Sequence, residues 1–363
     1  MKLAVTGGGT GGHVFPALEL ALEARSRGWE VCYLGSLRGQ ESRAADRAGI
    51  PFLGFPSEPL YSLKSPRGWK AAFNLYRANQ MAKKALRDFS PDVLVSTGGY
   101  ASAPVANAAG NLGIPYVLHE QNTVPGRTNR LLSKRAFAVA TVFRSGAEHF
   151  AGCRVERTGM PIRKDLRDSA QGRLGVGQGM PGHSPILLVM GGSQGALALN
   201  DAALATAVRM ASTEVQWLHV TGMAHFDSTL VTKQKMAVTA PYEVKAYLEA
   251  EEMASALFSS SLAICRSGAG TIAELAAFRK PAILVPYPHA FGNHQLHNAK
   301  EMESIGAATV LQQADLQPSA LEGRIQMWLT DGALQAAAVI ALAEWDIPDA
   351  VQRILKLVEE AAA

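Results

Sequence analysis

Lys2-Leu-Ala-Val-Thr6 runs straight into Gly7-Gly-Gly-Thr-Gly-Gly12 and then His13. Beyond it, residues 14–24 carry apolar side chains at helical spacing. The stretch predicts a buried strand, a tight glycine turn and a helix. Glycine alone lets backbone N–H groups close in on a bulky anion at such a turn, and the helix N-terminus adds partial positive charge. A phosphate or sugar-phosphate site at the end of a first parallel strand is the reading that follows.

Two nucleotide motifs nearly fit. Gly7-x-Gly9-x-x-Gly12 has dinucleotide-binding form, but that fold needs an acid at the end of the second strand. Here Glu30-Val-Cys-Tyr-Leu34 ends in Gly35-Ser36, and no acid is there to hold a ribose diol. A P-loop needs Lys and Ser/Thr after its last glycine; this chain offers His13 and Val14. A histidine beside a helix N-terminus, which disfavours its cation, suits a neutral base better than a phosphate clamp. A local capping histidine is the alternative.

With 363 residues, 48% hydrophobic and 18% charged, the chain has the size of two domains and no signature of disorder. Cys32, Cys153 and Cys265 are far apart and lack C-x-x-C spacing, which fits a reducing compartment without structural zinc. The opening strand leaves no leader, and no apolar run reaches the ~18–20 residues of a spanning helix. The expectation is a soluble intracellular chain, unless it rests on a membrane surface. Residues 1–165 hold 22 Lys+Arg and 12 Asp+Glu, net +10, while the remainder holds 13 and 19, net −6. The basic half points to an anionic partner.

Strand-like runs recur at 31–34, 52–55, 93–96, 116–119 and 137–141, separated by helical stretches, as in a parallel sheet with covered faces. Three strand ends are polar or glycine-rich: residues 7–13, Thr97-Gly98-Gly99-Tyr100, and His119-Glu120-Gln121-Asn122. Together they predict a cleft along one sheet edge. Residues 60–86 interleave Tyr61, Trp69, Phe73 and Tyr76 with Lys64, Arg67, Lys70, Arg77, Lys83 and Lys84. That is either an interfacial membrane patch or an amphipathic helix with a solvated basic face. Residues 168–184 read as a glycine-rich loop or hinge. Then the opening theme returns as Pro185-Ile-Leu-Leu-Val-Met190 and Gly191-Gly-Ser193-Gln-Gly195. Further βα units follow at 215–220, 261–265, 282–285 and 309–311, and residues 332–363 read as helices broken at Pro348. The fold class is α/β: two Rossmann-like domains facing a deep inter-domain cleft. The domains are 1–163 and 164–344, with the helix near 345–363 expected to pack back on the first.

The second half holds the sharpest constellation. Leu262-Ala-Ile-Cys-Arg266 reads as a strand, Ser267-Gly268-Ala269-Gly270-Thr271 as a turn, and Ile272 as the start of a helix with Glu274 in its first turn. Such a turn suits a diphosphate without a metal, and Glu274 is placed to accept two ribose hydroxyls. Thr271-x-x-Glu274 also fits a capping box. Asn293, His294 and Gln295 offer neutral donors and acceptors for sugar hydroxyls. His289, His294 and His297 lack metal-ligand spacing and a neighbouring carboxylate, and the chain has no Asp-x-Asp, so no metal and no cofactor are expected.

In this order and combination, Gly8-Gly9-Thr10-Gly11-Gly12-His13, residues 97–100, residues 119–122, residues 191–196, Cys265-Arg-Ser-Gly-Ala269 with Glu274, and His294-Gln295 with Asn298-Ala299 resemble the MurG family of bacterial peptidoglycan N-acetylglucosaminyltransferases. The likeness runs from residue 1 to about 311. It implies a GT-B fold and an inverting, metal-independent transfer of GlcNAc from UDP-GlcNAc to undecaprenyl-diphospho-MurNAc-pentapeptide (lipid I), giving lipid II. It further implies donor contacts at Arg266, Ser267, Gly268, Ala269, Gly270, Thr271, Glu274, His294, Gln295, Arg163 and Ser193. Thr10, Gly11, Gly12 and Asn122 would reach the donor from the opposite side. The acceptor diphosphate would lie on Gly8, Gly9, Thr97, Gly98, Gly99, Tyr100, His119, Glu120 and Gln121. His13 would take the proton of the MurNAc 4-hydroxyl, with Glu120 or a water as rivals. Segment 60–84 would dock on the anionic cytoplasmic face of the membrane as a peripheral contact. The alternatives are another UDP-GlcNAc enzyme of this fold, an epimerase or a glycolipid transferase; nothing marks a nucleic-acid partner.

Overall fold

A computed structural model describes every residue except 38, 58–64, 174–183, 193 and 194; of residues 66, 67 and 173 it describes only the backbone. The chain divides into two compact units: Met1–Arg163 with Asp349–Ala363, and Lys164–Pro348.

In the first unit, β1 (Lys2–Thr6), β2 (Glu30–Ser36), β3 (Phe52–Phe55), β4 (Val93–Ser96), β5 (Tyr116–Glu120), β6 (Ala138–Thr141) and β7 (Val155–Arg157) form one sheet. Every pairing is parallel, in the order β3-β2-β1-β4-β5-β6-β7. Leu3, Val5, Val93, Val95 and Val117 pack on one face, and Ala4, Leu94, Tyr116 and Leu118 on the other. The central strands are therefore apolar on both sides, as the sequence requires. Helix Ala350–Ala362 buries Ile354, Leu355, Leu357 and Val358 in the first of these cores, beside helix Gly11–Ser26.

The second unit repeats the plan. Strands β8 (Ile186–Met190), β9 (Gln216–Val220), β10 (Tyr242–Lys245), β11 (Leu262–Cys265), β12 (Ala282–Leu284) and β13 (Ala308–Val310) pair in parallel in the order β10-β9-β8-β11-β12-β13. Each sheet thus reverses its winding once, between β1 and β4 and between β8 and β11. Ligand crevices form outside the carboxyl ends of the strands at such points.

The reading of residues 168–184 as a glycine-rich loop or hinge needs correction over residues 168–173. Lys164–Arg173 is a helix, because Leu166 and Ala170 bury one face and Arg167 grips Asp346 with two nitrogens at 2.6 and 3.0 Å. Arg279 adds a third contact to the same nearly buried carboxylate at 3.3 Å. Residues 174–183 lie outside the described residues. No single helix among the described residues is long and apolar enough to cross a membrane.

Candidate active site

At the β1/β4 reversal the first glycine turn meets the second. His13 sits on the first turn of helix Gly11–Ser26, half-buried, and its Nδ1 lies 2.9 Å from the Thr97 carbonyl oxygen. A carbonyl only accepts, so Nδ1 carries the proton and Nε2 is the basic nitrogen. Thr97 also donates its hydroxyl to the His13 carbonyl at 2.7 Å, so one residue clamps both ends of the histidine. Gln121, buried, donates a second N–H to the Thr97 carbonyl at 2.8 Å and fixes the clamp in turn. Gly98 and Gly99 adopt φ of +89° and +85°, and a Cβ on Gly99 would fall on the Gly8 carbonyl and press the His13 ring. Only glycine permits this approach.

The structure sorts the residues of this unit assigned to the acceptor, and Thr10, Gly11, Gly12 and Asn122, assigned to the donor. Gly8 donates its N–H to the Gly98 carbonyl and Gly9 donates to Glu41, so both groups point into the protein. Thr10 and Gly12 are exposed, and none of the N–H groups of Thr10, Gly11 and Gly12 has a partner among the described residues. Tyr100 is half-buried against Gly9, and Asn122 half-buried at the end of β5. His119, Glu120 and Gln121 are all internal. Glu120 accepts from the Asn122 and Gly126 N–H groups, both at 3.0 Å, and from the Asn129 amide at 2.9 Å. Burial raises its pKa against those hydrogen bonds. With these donors on its oxygens, Glu120 holds the loop that follows β5.

His119 donates Nε2–H to the Gly159 carbonyl at 3.0 Å, and burial, with a smaller contribution from His13, depresses its pKa to about 4. His219 in the second unit, held between Asn200 and Tyr242, falls to about 3 by burial. An unfolded histidine takes up its proton near 6.5. Between that value and the folded one the unfolded state binds more protons, so each residue withdraws stability as pH falls below about 6.5, by ~1.4 kcal/mol per pH unit. His119→Asn, compared with the parent by denaturant unfolding at pH 7.5 and 5.0, is expected to flatten the acid-side loss. Equal losses in both proteins contradict this assignment.

At the β8/β11 reversal, helix Ala269–Ala277 follows β11 almost at once, with Gly268 as its extended N-cap. Thr271 is therefore inside the helix and makes no capping box with Glu274, which stands on the second turn and not the first. Residues 271 and 274 share a face. The N–H groups of Ala269, Gly270 and Thr271 have no partner among the described residues and converge at a helix N-terminus, an anion cradle. Glu274 is half-buried one turn along. Two assigned residues instead form the walls. Ser267, fully buried, donates its hydroxyl to the Gln295 carbonyl at 2.8 Å. Arg266 gives Nη1 to the Val285 and Pro286 carbonyls and Nη2 to Gln313, with its guanidinium over the Tyr287 ring at 5.6 Å. Gln295 Oε1 accepts the Tyr287 N–H at 2.9 Å, which fixes the side-chain amide. His294 places Nδ1 2.9 Å from the Phe291 carbonyl, so its Nε2 is the acceptor nitrogen, and burial lowers its pKa. Arg163 is half-buried at the end of the first unit, and Ser193 lies outside the described residues. No group of three or more His, Cys, Asp or Glu that could hold a metal gathers among the described residues.

A third surface lies on helix Pro66–Phe89, where Ser65 caps the N-terminus. Ala71, Ala78, Ala82 and Leu86 face the core. The opposite face exposes Trp69 (68%), Phe73 (60%) and Tyr76 (62%), with Lys70, Arg77, Lys84 and Arg87 also exposed. The helix thus has a core-facing apolar side and a second, solvent-facing aromatic one. Residues 60–64 of the expected membrane segment lie outside the described residues.

Comparison with known proteins places these features in one lineage. The glycosyltransferase family 28 N-terminal domain matches residues 3–141 and its C-terminal domain residues 186–354. A Desulforudis audaxviator UDP-N-acetylglucosamine–N-acetylmuramyl-(pentapeptide) pyrophosphoryl-undecaprenol N-acetylglucosamine transferase is 36% identical, covering 100% of this chain and 99% of its own. A Bacillus thuringiensis protein of the same name is 34% identical over 99% of both chains. The crystal structure of Acinetobacter baumannii MurG superposes with a TM-score of 0.81 at 28% identity, covering 99% of each chain.

Proposed function

The chain belongs to the MurG family, within glycosyltransferase family 28, and has its GT-B fold; from that premise we propose that it transfers GlcNAc from UDP-GlcNAc to the 4-hydroxyl of MurNAc in lipid I, producing lipid II for peptidoglycan. The carrying observation is the clamped His13, directly after the N–H groups of residues 10–12, which have no partner among the described residues. In the reaction Nε2 takes the hydroxyl proton as the MurNAc oxygen bonds to the anomeric carbon. The bond from that carbon to the UDP oxygen breaks, its electron pair leaves with UDP, and configuration inverts. The N-terminus of helix Ala269–Ala277 meets the charge growing on the leaving diphosphate.

Glu274 holds the ribose in this reading. Hydrogen bonds to a carboxylate contribute ~1.5–3 kcal/mol, so Glu274→Ala is expected to raise the UDP-GlcNAc KM by about 10- to 100-fold with a smaller change in kcat. Steady-state kinetics at saturating acceptor check this; an unchanged donor KM removes Glu274 from the site. The epimerase alternative is tested with UDP-GlcNAc alone. A transferase leaves its sugar configuration untouched until lipid acceptor is added, whereas conversion of the nucleotide sugar without acceptor overturns the reading.

The protein works in this reading as a peripheral enzyme on the cytoplasmic face of the cell membrane, where a polyprenyl-linked acceptor resides. The exposed aromatic face of helix Pro66–Phe89 and its basic neighbours support that, since aromatic rings settle at the headgroup level and cations meet anionic lipid.

A further inference from the structure

A buried carboxyl group beside the first glycine turn has no part in this reaction. Glu41, at the start of the short helix Glu41–Arg47, is fully buried, yet the sequence does not mark it out. Its Oε1 accepts the Gly9 N–H at 2.8 Å, and its Oε2 has no partner among the described residues. Burying a carboxyl group is costly unless hydrogen bonds compensate it, and the Gly9 N–H supplies one. Glycines make the room for the carboxyl group. A Cβ on Gly8 would fall on Oε1, one on Gly39 would fall on Oε2, and one on Gly35 would crowd the Glu41 Cβ at 3.3 Å.

The consequence is the shape of the glycine turn. Tyr33 donates its hydroxyl to the Gly7 carbonyl at 2.6 Å, Gly98 takes the Gly8 N–H, and Glu41 takes the Gly9 N–H while Gly9 holds φ at +95°. Three successive residues are thereby tied inward. The next N–H groups, those of Thr10, Gly11 and Gly12, then stand at the helix start immediately before His13.

We propose that Glu41 is a positioning residue for the acceptor: by drawing the Gly9 N–H inward, it sets the turn that presents residues 10–12 to the acceptor diphosphate. The inference rests on the transferase reading above, and it gives residues 10–12, expected from the sequence to reach the donor, to the acceptor instead. It requires an oxygen acceptor at this position and does not require a negative charge.

The test compares Glu41→Gln, which keeps a side-chain oxygen, with Glu41→Ala, which removes it. Both are assayed as full chains against varied lipid acceptor and varied UDP-GlcNAc, with melting temperature recorded. Glu41→Ala is expected to raise the acceptor KM by about tenfold or more with the donor KM unchanged, and Glu41→Gln to stay within about threefold of the parent. Should the alanine variant not fold, Glu41→Asp, one methylene too short, is expected to raise the acceptor KM in the same selective way. A lowered melting temperature with an unchanged acceptor KM overturns the proposal, as does an equal rise in both KM values. So does a glutamine variant as impaired as the alanine one. Failure of the parent chain to transfer sugar to any lipid acceptor overturns instead the functional reading on which the inference stands.

Discussion

Replacing His13 by alanine is expected to lower kcat for sugar transfer by ~10²–10⁴-fold, the usual worth of a positioned general base, while UDP-GlcNAc affinity stays within about twofold. The selectivity follows from where the residues sit. His13 belongs to the first unit, clamped by Thr97, whereas the anion cradle, Glu274, His294 and Gln295 belong to the second. The variant therefore loses proton removal and keeps its nucleotide site. His13→Gln is expected to match the alanine variant, because an amide fills the space without a titratable nitrogen. Isothermal titration with UDP-GlcNAc beside turnover assays separates the two quantities. Donor affinity falling in step with kcat would show that His13 serves binding and not the proton.

The second large effect concerns the aromatic face of helix Pro66–Phe89. Trp69, Phe73 and Tyr76 lie at spacings of four and three, so all three rings enter one interface together. Each ring contributes roughly 1–2 kcal/mol on leaving water, part of the ~1.5–3 kcal/mol of full burial. Trp69→Ala, Phe73→Ala and Tyr76→Ala combined are expected to weaken binding to vesicles containing anionic lipid by about 10²–10⁴-fold. These side chains leave the core untouched, so the melting temperature is expected to hold. Sedimentation with vesicles of graded anionic content reads the result, and raised salt should weaken the parent protein further by screening its cations. Undiminished sedimentation of the triple variant contradicts membrane docking through this face.

Much of the architecture was legible because its signals are steric. Parallel strands covered on both faces read as apolar runs, and glycine turns such as Gly98-Gly99 are written in the only residue their positive φ favours. Strands β7 and β10, Val155–Arg157 and Tyr242–Lys245, escaped the pattern because they are short, mixed-polarity edges. Helix Lys164–Arg173 escaped because part of its anchoring, the Arg167–Asp346 pair, spans nearly 180 residues. Site residues were harder to read than elements. His119 and Glu120 look like ligand groups at a strand end, but β5 is buried on both faces, so alternation carries no clue to which side chains reach solvent. Ser267 and Arg266 stand in a diphosphate turn, and hydrogen bonds to Gln295, Val285, Pro286 and Gln313 bind them into its walls. Glu41 resembles an ordinary acid in a helix's first turn until its burial against Gly9 is seen.

The most direct measurement follows radiolabel from UDP-GlcNAc into a short-chain analogue of undecaprenyl-diphospho-MurNAc-pentapeptide, in EDTA, with the parent chain and His13→Ala side by side. Label is expected in the lipid product for the parent, with a loss of at least about a hundredfold in the variant and donor binding intact. Equal transfer by both proteins, or none by the parent while it still binds the donor, would contradict that expectation.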